Sequence, residues 1–401
     1  MDRTAGILSS GLGVSQEHSP SMATAAPTQH VHYPVLDGLR GVAIALVMFQ
    51  HFFQRTPKGT AFVDDVVFGL AGRSWMGVDV FFVLSGFLIT GILWDSKGHA
   101  GYFRKFYARR ILRIFPAYYL VLFLAYVVLP RLGSPPVDAY LRDSLPDQAW
   151  HWTYLSNLKI ALRGAWYEHH IPNVFWSLAI EEQFYMVWPL VVWGLAKRSL
   201  MTLCTVLFFV ALGLRVYLAI DPDVNWIQSF VLTPSRMDGL VLGAFLALLF
   251  RMPQGQAPKV RWQIGLVGVL ATALVGAMTL YTPEGWREQP LFALRFTGIA
   301  LASGAVLWLA LTGQPGSIWV RIFSQRWLRF LGKYSYALYL WHGPADALVR
   351  HSFQPTALVG GSRLPAQLAF VLAAFGVALL AALASWHLVE KHCLRLKRRF
   401  A

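Results

Sequence analysis

Long apolar stretches separated by short polar segments run through most of the chain. A membrane crossing needs about 20 apolar residues as a helix, and ten of the stretches reach or approach that length. We predict spans at 35–53, 75–94, 111–130, 174–195, 200–219, 237–250, 263–281, 291–312, 334–350 and 366–388. The sixth is short and is expected to begin near Phe230. The pattern predicts an all-α, polytopic integral membrane protein with about ten transmembrane helices in one bundle.

The two ends of the chain differ from this transmembrane domain, which we place at residues 31–390. Residues 1–30 are polar and rich in Ser, Ala and Thr, and no apolar segment directly follows a basic start. We expect a disordered cytoplasmic tail there and not a signal peptide. Residues 391–401 are expected to form a basic cytoplasmic tail.

The charge distribution favours a membrane topology over nucleic-acid binding. The formal net charge is +15, but the basic residues lie between apolar segments and do not form one patch. With ten spans, the basic segments all fall on one side, which the positive-inside rule makes cytoplasmic, so both termini are expected there. Two cysteines, Cys204 and Cys393, indicate neither a disulfide framework nor a metal site.

The fourth span carries two adjacent carboxylates, Glu181 and Glu182, in an otherwise apolar and aromatic stretch. An ionisable residue inside a membrane is costly, and such a residue is a candidate functional residue by default. Ser177, Glu181 and Tyr185 are spaced four residues apart and therefore share one helix face. We expect this face to look into the bundle.

Three ionisable residues are expected at similar depth in the outer half of the membrane. His51 lies about 26 Å along its helix from Pro34, while Asp79 and Glu181 lie about 6 and 11 Å from the outer ends of their spans. A carboxylate beside an imidazole fixes its tautomer and stabilises the imidazolium, which makes the ring a general base. His51, Asp79 and Glu181 are therefore the candidate catalytic residues, with the two acids orienting His51. A histidine that only satisfies core contacts is the alternative.

Arginines form a second layer at the cytoplasmic ends of the first and third spans. Arg110 and Arg113 share a helix face at i, i+3, and Arg40 and Arg113 lie deeper than Arg109. Arginine binds phosphate bidentately, so Arg40, Arg110 and Arg113 are candidates to hold a phosphorylated cofactor. Ordinary positive-inside anchoring is the alternative, and it is favoured for Arg109. Asp37 either supports the site or caps its helix.

Four further residues are supporting candidates. Ser85 lies beside Gly86 in the second span, where close helix packing explains it better than a nucleophilic role. His342 lies next to Trp341 in the ninth span. Three roles stay open for it: contact with the path of the acyl group, proton transfer, and a hydrogen bond to a backbone carbonyl. Arg236 is expected to pair with Asp238, and a substrate role is the alternative.

The longest outer loop, at about 131–173, is rich in aromatic residues and histidine. This composition suits contact with a sugar, and packing on the rim of the bundle is the alternative. We expect acceptor specificity to reside in this loop because it is long and lies next to the catalytic layer.

Five short motifs occur in order along the chain, and together they cover about residues 33–390. They lie at 37–41 with His51, 82–87, 110–113, 176–185 and 335–342. This ordered set resembles acyltransferase family 3, a family of integral-membrane bacterial O-acyltransferases that act on glycans and related acceptors. The resemblance matches the essential histidine and arginine of the family's first span to His51 and Arg40. It also matches the paired arginines to Arg110 and Arg113, and the glutamate of the fourth span to Glu181.

The resemblance implies an O-acetyltransferase of the bacterial inner membrane. Such an enzyme transfers an acyl group, with acetyl the expected one, from cytoplasmic acetyl-CoA or another acyl-CoA to a hydroxyl of an extracytoplasmic or lipid-linked carbohydrate. No metal is expected. Some members carry a C-terminal extracytoplasmic domain that this chain is expected to lack, so both independent action and transfer to a partner extracytoplasmic transferase stay open.

Two other classes of function compete with this one. A secondary transporter or acyl-group exporter would use the buried His, Glu and Arg residues to bind substrate and protons. The sequence shows no convincing internal repeat between the two halves of the chain, and this argues against a transporter. A membrane sensor or scaffold would not require basic and histidine layers at opposite faces.

Overall fold

Helices dominate the part of the chain that the structure describes. The computed structural model describes residues 33–132, 141–168, 170–281 and 290–400. Ten helices of 18 or more residues lie in these ranges: α1 Pro34–Phe53, α2 Gly77–Ser96, α3 Tyr102–Phe123, α4 Phe175–Gly194, α5 Lys197–Ile220, α6 Thr233–Phe250, α7 Pro258–Tyr281, α8 Pro290–Leu311, α9 Ser335–Ser352 and α10 Leu364–Ser385. They match the ten predicted spans, except that α3 begins well before residue 111. The predicted tail at residues 1–30 lies outside the described residues.

Eight of the helical stretches in these ranges are long and apolar enough to cross a membrane. The two long helices that fall short are α4 and α9, which carry Glu181, Glu182 and His342. In α4 the two glutamates lower the mean hydropathy, whereas α9 also carries Asp346, Arg350 and His351 besides His342. The described residues contain an isolated bridge between Val359 and Ser362 but no β-strand. The prediction of an all-α, polytopic membrane protein is confirmed.

The backbones of α2 and α6 approach each other closely. A Cβ on Gly86 would lie 1.8 Å from the carbonyl oxygen of Leu240, and a Cβ on Gly243 would lie 2.0 Å from that of Val83. Any side chain at either glycine would overlap the facing backbone, so the sequence permits this contact only with glycine. The prediction that Gly86 serves helix packing is confirmed.

The segment between α3 and α4 folds onto the bundle. Its described residues include the short α-helices Gln148–Trp152, Ser156–Arg163 and His170–Asn173. The ring of Tyr154 stacks on Tyr118 of α3 with centroids 4.1 Å apart, and the Tyr118 hydroxyl donates to the carbonyl of His151 at 2.7 Å. The described part of the predicted 131–173 loop therefore packs against α3. Residues 133–140 and 169 of that loop lie outside the described residues, and sugar contact stays a prediction.

Candidate active site

The predicted polar face of α4 looks into the bundle. The Ser177 hydroxyl shares a hydrogen bond of 2.6 Å with the Tyr339 hydroxyl of α9. One turn further along α4, Glu181 accepts a hydrogen bond of 3.0 Å from Tyr185. Tyr185 also forms a hydrogen bond with Ser85 of α2. The prediction that Ser177, Glu181 and Tyr185 face the interior is confirmed, and these residues join α4 to α2 and α9.

A pair of histidines joins α1 to α9. His51 Nδ1 lies 2.6 Å from His342 Nε2. The ring planes differ by only 1° while the ring centroids are 4.8 Å apart, so the two rings lie edge to edge in one plane. His342 is 1% exposed, whereas His51 is half-buried. Trp341, the neighbour of His342, packs against a hydrophobic core that includes Phe52 of α1 and Leu338 of α9.

The hydrogen bonds of His342 determine the tautomers of both rings. His342 Nδ1 lies 2.7 Å from the carbonyl oxygen of Tyr339, and a carbonyl only accepts, so this nitrogen carries the proton. In a neutral ring, Nε2 of His342 is then the acceptor. His51 must donate to it from Nδ1, which leaves the lone pair of a neutral His51 on Nε2. A nitrogen in this state is equipped to take a proton or to attack a carbonyl carbon.

The two carboxylates expected beside His51 have other partners among the described contacts. Asp79 of α2 accepts a hydrogen bond of 2.7 Å from Arg236 of α6, and both side chains are almost fully buried. Glu181 is bound by Tyr185. Helical rise alone placed these acids at one depth, but the close approach of α2 and α6 brings Arg236 to Asp79. A catalytic role for Asp79 or Glu181 stays a prediction.

The expected pairing of Arg236 with Asp238 is wrong. Asp238 instead accepts a hydrogen bond of 2.6 Å from Arg215 of α5, which also donates to Thr297 of α8 at 2.5 Å. Arg236 is surrounded by aromatic rings, and its guanidinium lies 4.3 Å from the centroid of Phe296. Residues two apart on a helix point in different directions, so Arg236 and Asp238 reach different neighbours.

The predicted arginine layer lies at the other end of the α4 polar face. The Arg110 guanidinium of α3 lies 5.8 Å from the centroid of the Tyr185 ring, and it interacts electrostatically with Arg40, Arg113 and Glu182. Glu182 is 6% exposed. Among the described residues, neither Arg110 nor Arg113 forms an ion pair or a side-chain hydrogen bond, so both retain donors for an anion.

Arg40 is held at the start of α1. It donates to Asp37 at 3.1 Å. Helix α1 begins at Pro34 with Tyr33 as N-cap, so Asp37 lies inside the first turn and binds Arg40 instead of capping the helix. The short helices Ile318–Phe323 and Arg326–Lys333 pack against this turn.

Glycines permit that packing. A Cβ on Gly38 would lie 1.8 Å from the carbonyl oxygen of Phe323, and a Cβ on Gly41 would lie 2.0 Å from that of Leu328. The glycines on either side of Arg40 therefore serve helix packing, and they position the arginine rather than bind a ligand themselves.

The predicted site residues are only partly covered by their neighbours. Arg40, His51, Arg110 and Glu181 are all half-buried, while Leu39, Ile180 and Glu182 beside them are buried. Glu181 and Arg110 both reach the buried Tyr185. No cluster of three or more His, Cys, Asp or Glu side chains suited to a metal ion occurs among the described residues.

Comparison with known proteins identifies the family of the chain. The family model for acyltransferase family 3, described as an acyltransferase domain, matches residues 33–386. The chain belongs to this family. It is 30% identical over 377 residues to the putative peptidoglycan O-acetyltransferase YrhL of Bacillus subtilis, with 91% of this chain and 55% of the relative covered.

Two further relatives of this acyltransferase family 3 member carry similar names. The O-acetyltransferase OatA of Staphylococcus aureus is 29% identical over 337 residues, and 79% of this chain and 51% of the relative are covered. The peptidoglycan O-acetyltransferase OatA of Listeria monocytogenes is 29% identical over 329 residues, with 79% and 50% covered. The chain spans about half the length of these relatives. No solved structure matches.

Sequence reasoning missed a buried polar cluster in this family member. The Gln183 amide of α4 donates at 2.9 Å both to the carbonyl of Tyr154 and to the side chain of Asn157, and it accepts from Thr233 at 2.5 Å. Tyr154 has a backbone φ of 56°, which few non-glycine residues adopt. Gln183 thus fixes the segment before α4 to α6. Its position next to Glu182 in an apolar stretch was the available signal.

Proposed function

We propose that this protein is a membrane O-acyltransferase. It transfers an acyl group, with acetyl the expected one, from acyl-CoA to a hydroxyl of a carbohydrate acceptor of the peptidoglycan type. Membership of acyltransferase family 3 and similarity to proteins named peptidoglycan O-acetyltransferases support this reaction class. The positive-inside pattern supports a bacterial cytoplasmic membrane with both termini on the cytoplasmic side.

The observation that carries the proposal is the row of polar side chains on α4 that lies between the histidine pair and the arginines. His342 binds the backbone of Tyr339, and the Tyr339 hydroxyl binds Ser177. Side chains one turn apart on a helix have Cβ atoms about 6 Å apart, so Ser177 is followed by Glu181 and then by Tyr185 with Arg110. A site with anion-binding donors at one end and a basic imidazole at the other fits a long phosphorylated acyl donor.

In the proposed reaction, His51 Nε2 takes the proton of the acceptor hydroxyl. The hydroxyl oxygen forms a bond to the thioester carbonyl carbon, the C–S bond breaks, and CoA leaves as the thiolate. Charge on His51 is shared with His342, because the proton between Nδ1 and Nε2 can move along the 2.6 Å contact. The backbone carbonyl of Tyr339 stabilises the second imidazolium by accepting from its Nδ1.

A two-step route uses the same atoms. His51 Nε2 would first attack the thioester and form an acyl-imidazole with loss of the CoA thiolate. The acceptor hydroxyl would then attack the acyl carbon, the bond from that carbon to Nε2 would break, and the freed Nε2 would take the hydroxyl proton. Both routes need the tautomer that His342 imposes, so His342 is a positioning residue in either case.

Acyl transfer from radiolabelled acetyl-CoA tests the proposal with the purified protein in lipid nanodiscs. Release of CoA and label on the protein or acceptor are followed for wild type, His51→Ala, His342→Phe and the matched control His351→Ala, whose residue is exposed on the same helix. We expect His51→Ala and His342→Phe to lower kcat by about 10²- to 10⁴-fold, the usual contribution of general-base catalysis. His342→Phe should leave KM nearly unchanged, and His351→Ala should behave as wild type.

Folded His51→Ala protein with unchanged transfer would overturn the assignment of His51. Label retained on the wild-type protein would identify the two-step route. Substrate counterflow in proteoliposomes without any acyl transfer would instead indicate a transporter.

A further inference from the structure

The chain after α10 returns along the first half of α3. The short helices Lys391–Arg395 and Leu396–Phe400 form this C-terminal segment. Arg109 donates from Nε to the carbonyl of Phe400 at 3.0 Å, and the Arg104 guanidinium lies 5.9 Å from the centroid of the Phe400 ring. The segment is therefore fixed on the helix that presents Arg110 and Arg113.

Lys397 lies on this segment in a cationic environment. It is half-buried, and the charged groups with which it interacts are Arg109, Arg110 and Arg113. Burial first and repulsion by these arginines second lower the pKa of Lys397 to about 7. Among the described residues, Lys397 has no hydrogen bond and no carboxylate within ion-pair distance.

The acids near this cluster interact with its arginines and not with Lys397. Glu390, the residue before the segment, is 3% exposed, binds Ser385 at 3.0 Å and interacts with Arg113. Glu181 is bound by Tyr185 and interacts with Arg110, and Glu182 interacts with Arg110 from α4. Asp37 pairs with Arg40. Lys397 therefore has cations as its charged neighbours, although carboxylates occur on the surrounding elements.

Lys397 adds a positive charge whose charged neighbours are arginines, which is unfavourable unless an anion joins the group. Like charges a few ångströms apart repel, and partial burial strengthens the repulsion because it removes solvent screening. Arg110, Arg113 and Lys397 together present many N–H donors without acceptors, which suits the several oxygens of adjacent phosphate groups better than a single carboxylate.

We propose that Lys397 completes, with Arg110 and Arg113, the binding site for the nucleotide phosphates of the acyl donor. The C-terminal segment then forms one wall of the donor site. This inference rests on the proposed function, because it takes acyl-CoA to be the donor.

Binding of the phosphates would be linked to uptake of a proton. A phosphate anion beside Lys397 favours its charged form, so the protonated protein binds more tightly. The apparent affinity for the phosphates falls as the fraction of protein with a protonated Lys397 falls. The pKa of Lys397 is about 7 without a bound anion. If the protein with neutral Lys397 binds about tenfold more weakly, binding weakens by about threefold from pH 7 to pH 8.

Equilibrium binding of radiolabelled CoA to the full chain in nanodiscs tests this site. The variants are Lys397→Met, Lys397→Arg and, as matched control, Lys391→Met, which removes an exposed lysine of the same segment. We expect Lys397→Met to bind CoA about tenfold more weakly than the protonated wild-type protein, as for loss of one charge-assisted hydrogen bond. Its affinity should not change between pH 7 and pH 8, where the phosphate groups of CoA are already ionised. Lys397→Arg should retain binding with a flat pH profile, and Lys391→Met should match wild type.

Two further measurements distinguish a donor-binding lysine from a structural lysine and from a lipid-binding one. Thermal unfolding of Lys397→Met should be unchanged or raised, since the variant removes a repelled charge; a lower Tm would indicate a structural role and overturn the proposal. Anionic phosphatidylglycerol in place of zwitterionic lipid should not compete with CoA, and strong competition that needs Lys397 would assign the site to a lipid headgroup instead.

The Arg113→Ala variant separates the role of Lys397 from the choice of acyl-CoA as donor. If Arg113→Ala weakens CoA binding while Lys397→Met keeps the wild-type affinity and pH profile, the role of Lys397 is wrong and the donor assignment stands. If the folded wild-type protein binds no CoA at any pH, both are wrong.

Discussion

Buried charge in this protein is handled by specific pairs that no short sequence motif contains. Asp79 and Arg236 are separated by 157 positions, and Arg215 and Asp238 by 23. Each pair joins two helices in a region where an unpaired charge would be prohibitively costly. At the residue scale, therefore, the identity of a buried acid or base is less informative than the partner that it meets.

The pairing of Asp79 gives a test that separates stability from catalysis. Asp79→Asn removes the carboxylate that binds the buried Arg236 and leaves Asp238 as the acid that interacts with it, so the free energy of unfolding should fall by about 3 kcal/mol, the lower end of the usual range for a broken buried pair. Asp65→Asn is the control, because Asp65 pairs with Lys58 at 2.5 Å on the surface, where both are more than half exposed, and its loss should cost about 0–1 kcal/mol. Thermal and chemical unfolding of the solubilised protein measure both. Unchanged stability with lost transfer in Asp79→Asn would return Asp79 to the catalytic residues.

At the scale of elements, α4 and α9 are the two long helices whose polar side chains make them less apolar than a typical membrane span. They contact each other through Ser177 and Tyr339, and Tyr339 also donates to the carbonyl of Val174 at 3.0 Å. Their polar faces are covered by one another and by α1 and α2. Helices that are individually less apolar are thus stable in the bundle because each supplies hydrogen-bond partners to the next.

The contact between α1 and the short helices before α9 predicts a strong effect of a single methyl group. Gly41→Ala would place its Cβ 2.0 Å from the carbonyl oxygen of Leu328, which should destabilise the protein by about 1–3 kcal/mol through overpacking. Because Arg40 precedes this glycine, KM for the acyl donor should also rise.

Gly376→Ala in α10 is the matched control for this glycine. A Cβ there meets nothing within 4 Å, so alanine should be neutral or stabilise the helix by up to about 1 kcal/mol. The melting temperatures and KM values of the two variants check the prediction. Equal behaviour of both would show that the α1 contact is not tightly packed in the folded protein.

At the scale of the whole molecule, α4 and α9 decide the topology. If all ten long helices cross, the loop after α1 and the turn before α9 lie on opposite sides of the membrane. If only the eight more apolar stretches cross, both lie on the same side, because one crossing is then missing between them.

Single cysteines at these two places distinguish the topologies. In a background with Cys204→Ala and Cys393→Ser, we expect a membrane-impermeant maleimide to label Lys58→Cys in intact cells and to label Gln325→Cys only after permeabilisation. Lys58 and Gln325 are both exposed, so access depends on the side of the membrane. Labelling of both in intact cells would support eight crossings. The sides of the membrane assigned to the proposed donor and acceptor sites would then change.

The sequence by itself determined the helical class, the approximate spans and the inward face of α4. These properties follow from hydrophobic length and helical periodicity, which are local along the chain. The same periodicity placed Ser177, Glu181 and Tyr185 on one face. The resemblance of the ordered motifs then identified the family, which the comparison confirmed.

Only the tertiary structure decided which groups meet. His51 and His342 are 291 positions apart, and Asp79 and Arg236 are 157 apart. Helical rise predicts depth along one helix but neither the rotation of a neighbouring helix nor its identity. Helix packing sets both, since glycine contacts such as that of Gly86 with Leu240 fix how closely two helices approach. For this reason the residue types of the candidate site could be read from the chain, while their partners could not.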